Sequence, residues 1–438
     1  MRFLKIVRPF IFAVPILLVS CASVADYDFT KINSNLSIGN YAAVEEEIES
    51  NAKKMYSSHD DVLSELDMGL LEHYSGNFPE SNEHLSEAEK LIDKYSSRSI
   101  SQTVASALTN DLAQDYSGEP FEDIYTNLFM SLNYVALDEL DDALVEVRRF
   151  DNKVKVLKSK FEYEIQKAEN EKASVEKVST EFSDSALARW LSMLLYRTDG
   201  DKSNAAVDLK MLRSAFQSQK TLYNFSPPSN LDDELSVPKN MARLNVLAFF
   251  GRAPIKIEEI TRVPSTVAGS WFKLALPTLK KINSEITSVK VTAKNDSTQE
   301  TYSLNAEKIE SLENISADTF LQRRAVIKAK AIARAIARTA TTTTMDVLAA
   351  KTDNEGLAAL FSVAGLFSRA YTEAVERADV RTSRYFPATA SVCGITVNEG
   401  LYNVTVDFYS GNRIVFSETQ QIDVQKNALN LIESTCLR

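Results

Sequence analysis

Three cysteines and three histidines are all that this 438-residue chain offers to thiol, metal or imidazole chemistry. The histidines, His59, His73 and His84, share one helical stretch, and His73 reads as a packing or surface residue before it reads as a ligand. No HExxH, CxxC or GxSxG occurs, and 12 glycines are too sparse for a GxGxxG or Walker-type phosphate loop. Carboxylates abound, so an acid–base pair stays open to the fold. Glu45-Glu46-Glu47 and Asp141-Asp142 are nevertheless simpler as solvated helix faces. The expectation is no catalytic residue, no metal and no cofactor, with the cysteines as the informative groups.

Cys21 stands directly behind the apolar run "FIFAVPILLV" (residues 10–19), which follows Arg2, Lys5 and Arg8. A spanning helix needs roughly 20 apolar residues, so this run, interrupted by Pro15, is too short to cross a bilayer and stay. A basic segment followed by a short apolar one has the form of a secretory signal peptide, here residues 1–20. Leu18-Val19-Ser20-Cys21 resembles the bacterial lipobox, whose cysteine is acylated and becomes the mature N-terminus. A lipidated Cys21 with a short tether over residues 21–26 would hold the chain on a membrane without spanning it. An ordinary signal peptide with a chance cysteine is the alternative. Ala22 and Ser23 do not look like an inner-membrane retention signal, which favours the periplasmic face of an outer membrane.

Removing residues 1–20 leaves 46 Lys and Arg against 60 Asp and Glu, a net of −14. Such an acidic chain is a poor partner for nucleic acid, whose phosphates demand the opposite sign. With Cys21 used for lipid, Cys393 and Cys436 remain. Outside the cytoplasm they are a candidate disulfide that would pin the C-terminal tail, and two buried or merely tolerated thiols are the alternative.

These residues must be carried by elements, and scarce Gly (12) and Pro (11) argue for long helices. Residues 27–253 read as a helical domain in which a turn and an amphipathic helix recur. "GNYAAVEEEI" starts at Gly39 and "GNFPESNEHLSEAEKLI" at Gly76. The unit resembles the tetratricopeptide repeat, in which small residues let two helices approach closely. Gly69 and Ser81 take the small positions in one unit, and Ser131 and Ala143 in the next, with Tyr134 on the aromatic one. Turns fall at Gly76, Asp138 and Gly200, each 62 residues apart, so extra helices lie between the units and the array is irregular. The charged stretch from Phe150 to Val178 reads as a long solvated helix, or as an arm reaching a partner. Glu146 and Arg149 form an i, i+3 ion pair on its N-terminal side. Tyr125, Leu128, Leu132 and Val135 make an apolar line that is either a partner groove or covered by the next helix.

After a connector over residues 254–284 the periodicity changes. "EITSVKVTAK" with "QETYSLN", and "ATASVCGITVNEGLYNVTVDFYSGNRIVFSETQQIDV", alternate as β-hairpins do. Residues 285–438 therefore read as an antiparallel β-sheet or sandwich module, interrupted by a helical insertion at about 316–380. Within the insertion Leu321, Ala325, Ala329, Ile332, Ile336 and Ala340 share one face. Arg323, Lys330, Arg334 and Arg338 lie opposite, with Arg324 and Lys328 at the edge. That basic surface is either a solvated helix back or a contact for anionic lipid headgroups or envelope polymer.

The segments "DYSGEPFEDIYTNLFMSLNYVALDELDDALVEVRR" (115–149), "FFGRAPIKIEE" (249–259), "ERADVRTSRYFPA" (376–388) and "GLYNVTV" (400–406) together resemble a largely uncharacterised family of bacterial envelope lipoproteins with degenerate tetratricopeptide-like repeats. The resemblance implies an α-solenoid and an envelope location, and it supplies no catalytic residues. The expected function is a lipid-anchored scaffold or adaptor that binds envelope proteins through the helical array, in envelope or peptidoglycan maintenance. The alternatives are a ligand-binding lipoprotein whose β module recognises glycan or lipid, and, last, a hydrolase whose site forms only in the fold.

Overall fold

The described residues from Tyr27 to Ser218 form eight helices arranged largely as hairpins. They are α1 (Thr30–Leu36), α2 (Tyr41–Met55), α3 (Asp61–Ser75), α4 (Phe78–Ser101), α5 (Pro120–Ala136), α6 (Leu140–Asn170), α7 (Ala186–Thr198) and α8 (Lys202–Ser218). This architecture comes from a computed structural model that describes residues 27–101, 112, 114–170, 175–264, 271–351 and 377–438. Cys21 and the rest of residues 1–26 lie outside the described residues, as does the second half of the expected helical insertion.

Three hairpins, α3–α4, α5–α6 and α7–α8, repeat one turn. Gly76, Asp138 and Gly200 all sit in the left-handed region, with φ of 84°, 60° and 81°. Asp tolerates this conformation better than most side chains, which is how Asp138 stands in for glycine. Seven residues before and five residues after the turn, the helices touch. Ser81 Oγ donates to Gly69 O at 2.6 Å, and Ser131 Oγ donates to Ala143 O at 2.8 Å. A side chain at Gly69 would press into Leu85 at 2.7 Å, so the approach needs the missing Cβ.

The remaining elements are β1 (Ala242–Phe250), β2 (Ile255–Pro264), β3 (Trp271–Lys280), β4 (Ser288–Asn295), β5 (Thr301–Ser311), α9 (Leu312–Lys351), β6 (Thr389–Val397), β7 (Gly400–Ser410), β8 (Arg413–Val424) and β9 (Asn430–Cys436). Among the described residues the chain is thus mostly helical with a smaller β part. Seven strands form one sheet in the order β8-β7-β4-β5-β6-β1-β9, and β2 and β3 form a separate hairpin.

The sheet is mixed, not antiparallel as expected, because β1 pairs β9 in parallel. Residues 242–250, expected in the helical domain, are a strand of the sheet, between β6 and β9. Residues 254–284, assigned to a connector, contain the β2–β3 hairpin. "ARLNVLAFF" is buried on both faces, with Arg243 and Asn245 buried as well, and its apolar run from Val246 to Phe250 carries no period to separate strand from helix. Ala242, Leu244, Val246 and Ala248 join a core enclosed by the sheet. Leu247 and Phe249 join the core shared with the helices. The edge strands β8 and β9 meet through side chains: Gln420 Nε2 donates to Glu433 O at 2.6 Å, and Ser434 Oγ to Glu418 at 2.6 Å. The sheet therefore curls around its own core, and its outer face carries the helices.

Polar anchors fix the helices to the sheet. Buried His73 of α3 sets Nδ1 at 2.6 Å from Asn133 Oδ1 and Nε2 at 2.8 Å from Glu433 Oε1 on β9. Burial opposes a charge on this ring, yet the Glu433 carboxylate outweighs it and raises the His73 pKa. A raised folded pKa stabilises the fold below the unfolded value of about 6.5 and loses that contribution as pH rises through the folded one. Glu433→Gln is expected to cost about 1–2 kcal/mol below pH 6 and to approach the parent at high pH. Urea unfolding at a series of pH values checks it, and a gap independent of pH would remove the ion pair from the account.

Candidate functional site

One cleft draws side chains from every helical region around it. Its walls are α4 (Ile92, Asp93), the segment 114–119, the start of α5 (Asp123, Ile124), α6 from Lys153 to Ala168, and α9 from Arg323 to Lys330, with Asp379 and Arg381 at one end. It encloses about 260 Å³. Ile92, Ile124, Leu157, Phe161, Ala168 and Val326 are buried and make an apolar lining.

The α6 wall follows from its sequence. Phe150, Val154, Leu157, Phe161 and Ala168 recur at helical spacing and pack inward. Lys153, Lys160 and Lys167 recur every seven residues, so each lies about 10.5 Å from the next along one stripe. All three line the cleft, with Val156 and Tyr163 between them at its mouth. The stretch expected to be a solvated helix is therefore amphipathic, with one flank docked and one facing this space.

A buried charge network forms the polar end. Lys256 of β2 donates to Glu119 at 2.6 Å and lies over the Tyr116 ring. Arg323 of α9 faces the second Glu119 oxygen at 3.6 Å and donates to Gly118 O. Arg381 pairs with Asp379 at 2.9 Å and Asp60 at 3.1 Å, and donates to Gln114 O at 2.9 Å. Burial alone would raise the Asp379 pKa, but Arg381 and Lys256 hold it well below the usual carboxylate range. Glu122 accepts from Tyr116 Oη, Glu119 N and Ser383 N, each at 2.7 Å. Lys153 pairs with Asp123 at 2.6 Å and Glu89 at 2.8 Å.

The residues singled out from sequence land elsewhere. Tyr125 and Leu128 are wholly buried, Leu132 is nearly so, and Val135 packs on the core, so they are no partner groove. The helix α5 is enclosed by α3, α4, α6 and α9, and the Tyr125 hydroxyl is spent on Glu310. Cys393 and Cys436 are free thiols, not a disulfide. They flank β1 on opposite sides, opposite Val246 and Phe250. Four residues along and two strands across put them more than about 10 Å apart, beyond the roughly 7 Å a bridge tolerates. Burial pushes the Cys393 thiol up to about 12 and the Cys436 thiol up to about 11, which disfavours the reactive thiolate at both.

The expected basic surface is dispersed as well. Arg323 joins the Glu119 network, Arg324 pairs with Glu259 at 2.8 Å, Lys328 pairs with Glu176 at 3.2 Å, and Lys330 turns into the cleft. The side chains of Arg334 and Arg338 lie outside the described residues. Ala325 and Ala329 are buried as expected, whereas Leu321 is exposed. The Glu146–Arg149 pair is present at 3.0 Å, and Arg149 reaches Glu89 besides.

Glu119, Lys256, Asp379 and Arg381 lie in three of the segments that carry the family resemblance, but only the fold brings these distant segments together. The seven-residue lysine spacing was visible in the chain and identifies the α6 stripe. Among the described residues no group of three or more His, Cys, Asp or Glu could hold a metal ion, and no helix is long and apolar enough to cross a membrane. Comparison with protein families, with curated proteins and with solved structures finds no match. The class defined by fold and site is thus a set of helical hairpins fused to a curled mixed sheet, with one polar-ended cleft.

Proposed function

We propose that this chain is a lipid-anchored protein of a bacterial cell envelope that works by binding, as a scaffold or adaptor. The segment Leu18-Val19-Ser20-Cys21 supports the anchor, on the periplasmic face of an outer membrane. The observation that carries the mode of action is the repeated hairpin. The same left-handed turn and the same 12-residue hydroxyl-to-carbonyl contact occur in α3–α4 and α5–α6. We read these hairpins as degenerate tetratricopeptide-like units, in the manner of the lipoprotein family the sequence resembles. Proteins built this way present surfaces to other proteins. Since α5 is enclosed, the surface on offer is the outer flank of α6 and the cleft beside it. The second reading is a ligand-binding envelope lipoprotein whose β module recognises glycan or lipid, and the cleft among the helices supports ligand binding as an alternative place for it.

The test is labelling of cells with radioactive palmitate, followed by membrane fractionation and chemical crosslinking. The full chain is expected to take up label, sediment with membranes and crosslink to one protein in stoichiometric amount. A Cys21→Ser form is expected to lose label and sedimentation. Label retained by Cys21→Ser would overturn the anchor. Glycan or lipid recovered with no protein partner would overturn the adaptor and leave the ligand-binding reading.

A further inference from the structure

Arg252 follows β1 and Arg384 precedes β6, on segments held side by side by a bond of 2.8 Å from Ala253 N to Phe386 O. Both side chains turn to α1. Arg252 Nη1 donates to Asn33 Oδ1 at 2.6 Å, and the Arg384 guanidinium lies over the Phe29 ring at 3.9 Å. Asn33 N donates to Phe29 O at 2.8 Å, so these two anchors stand one helical turn apart, their Cβ atoms about 5–6 Å from each other. The two guanidinium groups are therefore neighbours. Burial lowers the Arg252 pKa, and the Arg384 charge lowers it further.

Among the described residues Arg384 makes no hydrogen bond or ion pair, and Arg252 Nε is buried without an acceptor. Asp67 is the one acid whose charge acts on Arg384, and none acts on Arg252. Burial pushes the Asp67 carboxyl up to about 7, so near neutral pH it offers about half a charge against two. Glu47 of α2 is taken up by Lys31 and the Tyr27 hydroxyl. Tyr385 completes the group. It is wholly buried, its hydroxyl has no partner, and the charges of Asp67, Arg384 and Arg252 all act on it. A buried hydroxyl left unpaired is costly, and so are like charges side by side, and one anion would relieve both.

We infer that Arg252, Arg384 and the Tyr385 hydroxyl form a binding site for a phosphate group. Two planar guanidinium forks and a phenol present more donors than the two oxygens of a carboxylate can use. A phosphate supplies the oxygens and up to about two negative charges. The Tyr27 and Phe29 rings, 5.2 Å apart, give the site an apolar flank. Phe29 is eight residues from Cys21, a reach of at most about 29 Å. The phosphate is thus that of a lipid headgroup, a source that rests on the anchored reading, or that of a soluble ester, which does not.

The test is calorimetric titration of inorganic phosphate, glycerol 3-phosphate and dihexanoylphosphatidic acid into the full chain carrying Cys21→Ser, so that acylation plays no part. Saturable binding of one equivalent is expected, with a rise in melting temperature. Arg252→Gln with Arg384→Gln together should weaken it about 10-fold or more, and Tyr385→Phe about 3-fold or more. Lys202→Gln with Lys210→Gln remove the same charge from exposed positions of α8 and should not weaken it. Circular dichroism confirms that each variant is folded, and Tyr385→Phe, which keeps the ring, decides the matter if the arginine pair does not fold. Tighter binding of dihexanoylphosphatidic acid than of glycerol 3-phosphate assigns the phosphate to a lipid, and equal or weaker binding assigns it to a soluble ester. Failure of palmitate labelling would remove the lipid source and leave the site. Three results would overturn the inference: no saturable binding of any probe at millimolar concentration, equal weakening by the arginine and lysine pairs, or acetate bound as tightly as phosphate.

Discussion

Glu310→Ala is expected to lower the unfolding free energy by about 3–5 kcal/mol, read from urea unfolding at neutral pH. Glu310 is wholly buried where β5 runs into α9. It accepts from Ser185 Oγ at 2.6 Å, Tyr223 Oη at 2.8 Å, Leu187 N at 3.1 Å and the Tyr125 hydroxyl. One carboxylate therefore gathers α5, the N-terminus of α7, the chain after α8, and the sheet. Alanine would leave four buried donors without an acceptor, and each such group costs about 1–3 kcal/mol before the structure relaxes. Glu310→Gln keeps one acceptor and is expected to cost less. Burial raises the Glu310 pKa in spite of its donors. An acid with a raised folded pKa loses stability as pH rises through that value, so the deficit of the Gln variant should narrow with rising pH. A loss under about 1 kcal/mol for Glu310→Ala would show that packing alone holds the junction.

Arg381→Ala is the second large effect, also about 3–5 kcal/mol at neutral pH. Its guanidinium lies among Asp379, Asp60, Gln114 O and the Tyr116 ring, and it is almost fully buried. Removing it strands buried carboxylates, which is costlier than never having buried the pair. The folded Asp379 pKa is depressed, so its stabilising contribution is present above the unfolded value of about 3.9 and is lost as pH falls through the folded one. In the variant, acid protonates the stranded carboxylates and relieves the penalty. The difference between parent and variant should accordingly be largest near pH 7 and shrink below about pH 4. Thermal melts from pH 3 to 8 measure this, and a difference that grows in acid would contradict the buried network.

Much of the fold was legible where it depends on short-range periodicity. The turns at Gly76, Asp138 and Gly200 were legible from the recurring pattern of a turn and an amphipathic helix, and all three adopt the left-handed backbone conformation. The alternation in residues 285–305 and 388–424 became β4 to β8, paired as antiparallel neighbours in β4–β5 and β7–β8. Burial was less legible. Tyr125, Leu128, Leu132 and Val135 formed a correct apolar stripe, but a stripe says only that something covers it. Glu310 was invisible, because the β-bulge between Lys308 and Glu310 breaks the alternation that would have predicted its side.

What the chain determines by itself is local: helical hairpins with a recurring turn, antiparallel strand pairs, and an amphipathic α6 with a lysine every seventh residue. These follow from φ/ψ preferences and from the 3.6- and 2-residue periods, which act over a few turns or one hairpin. Tertiary structure alone decided that β1 enters the sheet between β6 and β9, and thereby that Cys393 and Cys436 stand apart. It also brought Glu119, Lys256, Arg323 and Arg381 into one buried network. Those outcomes depend on contacts between segments more than 100 residues apart, as with Lys256 and Glu119 at a separation of 137. The free energy of burying such charges is set by the partners that the fold delivers, and no local pattern encodes them.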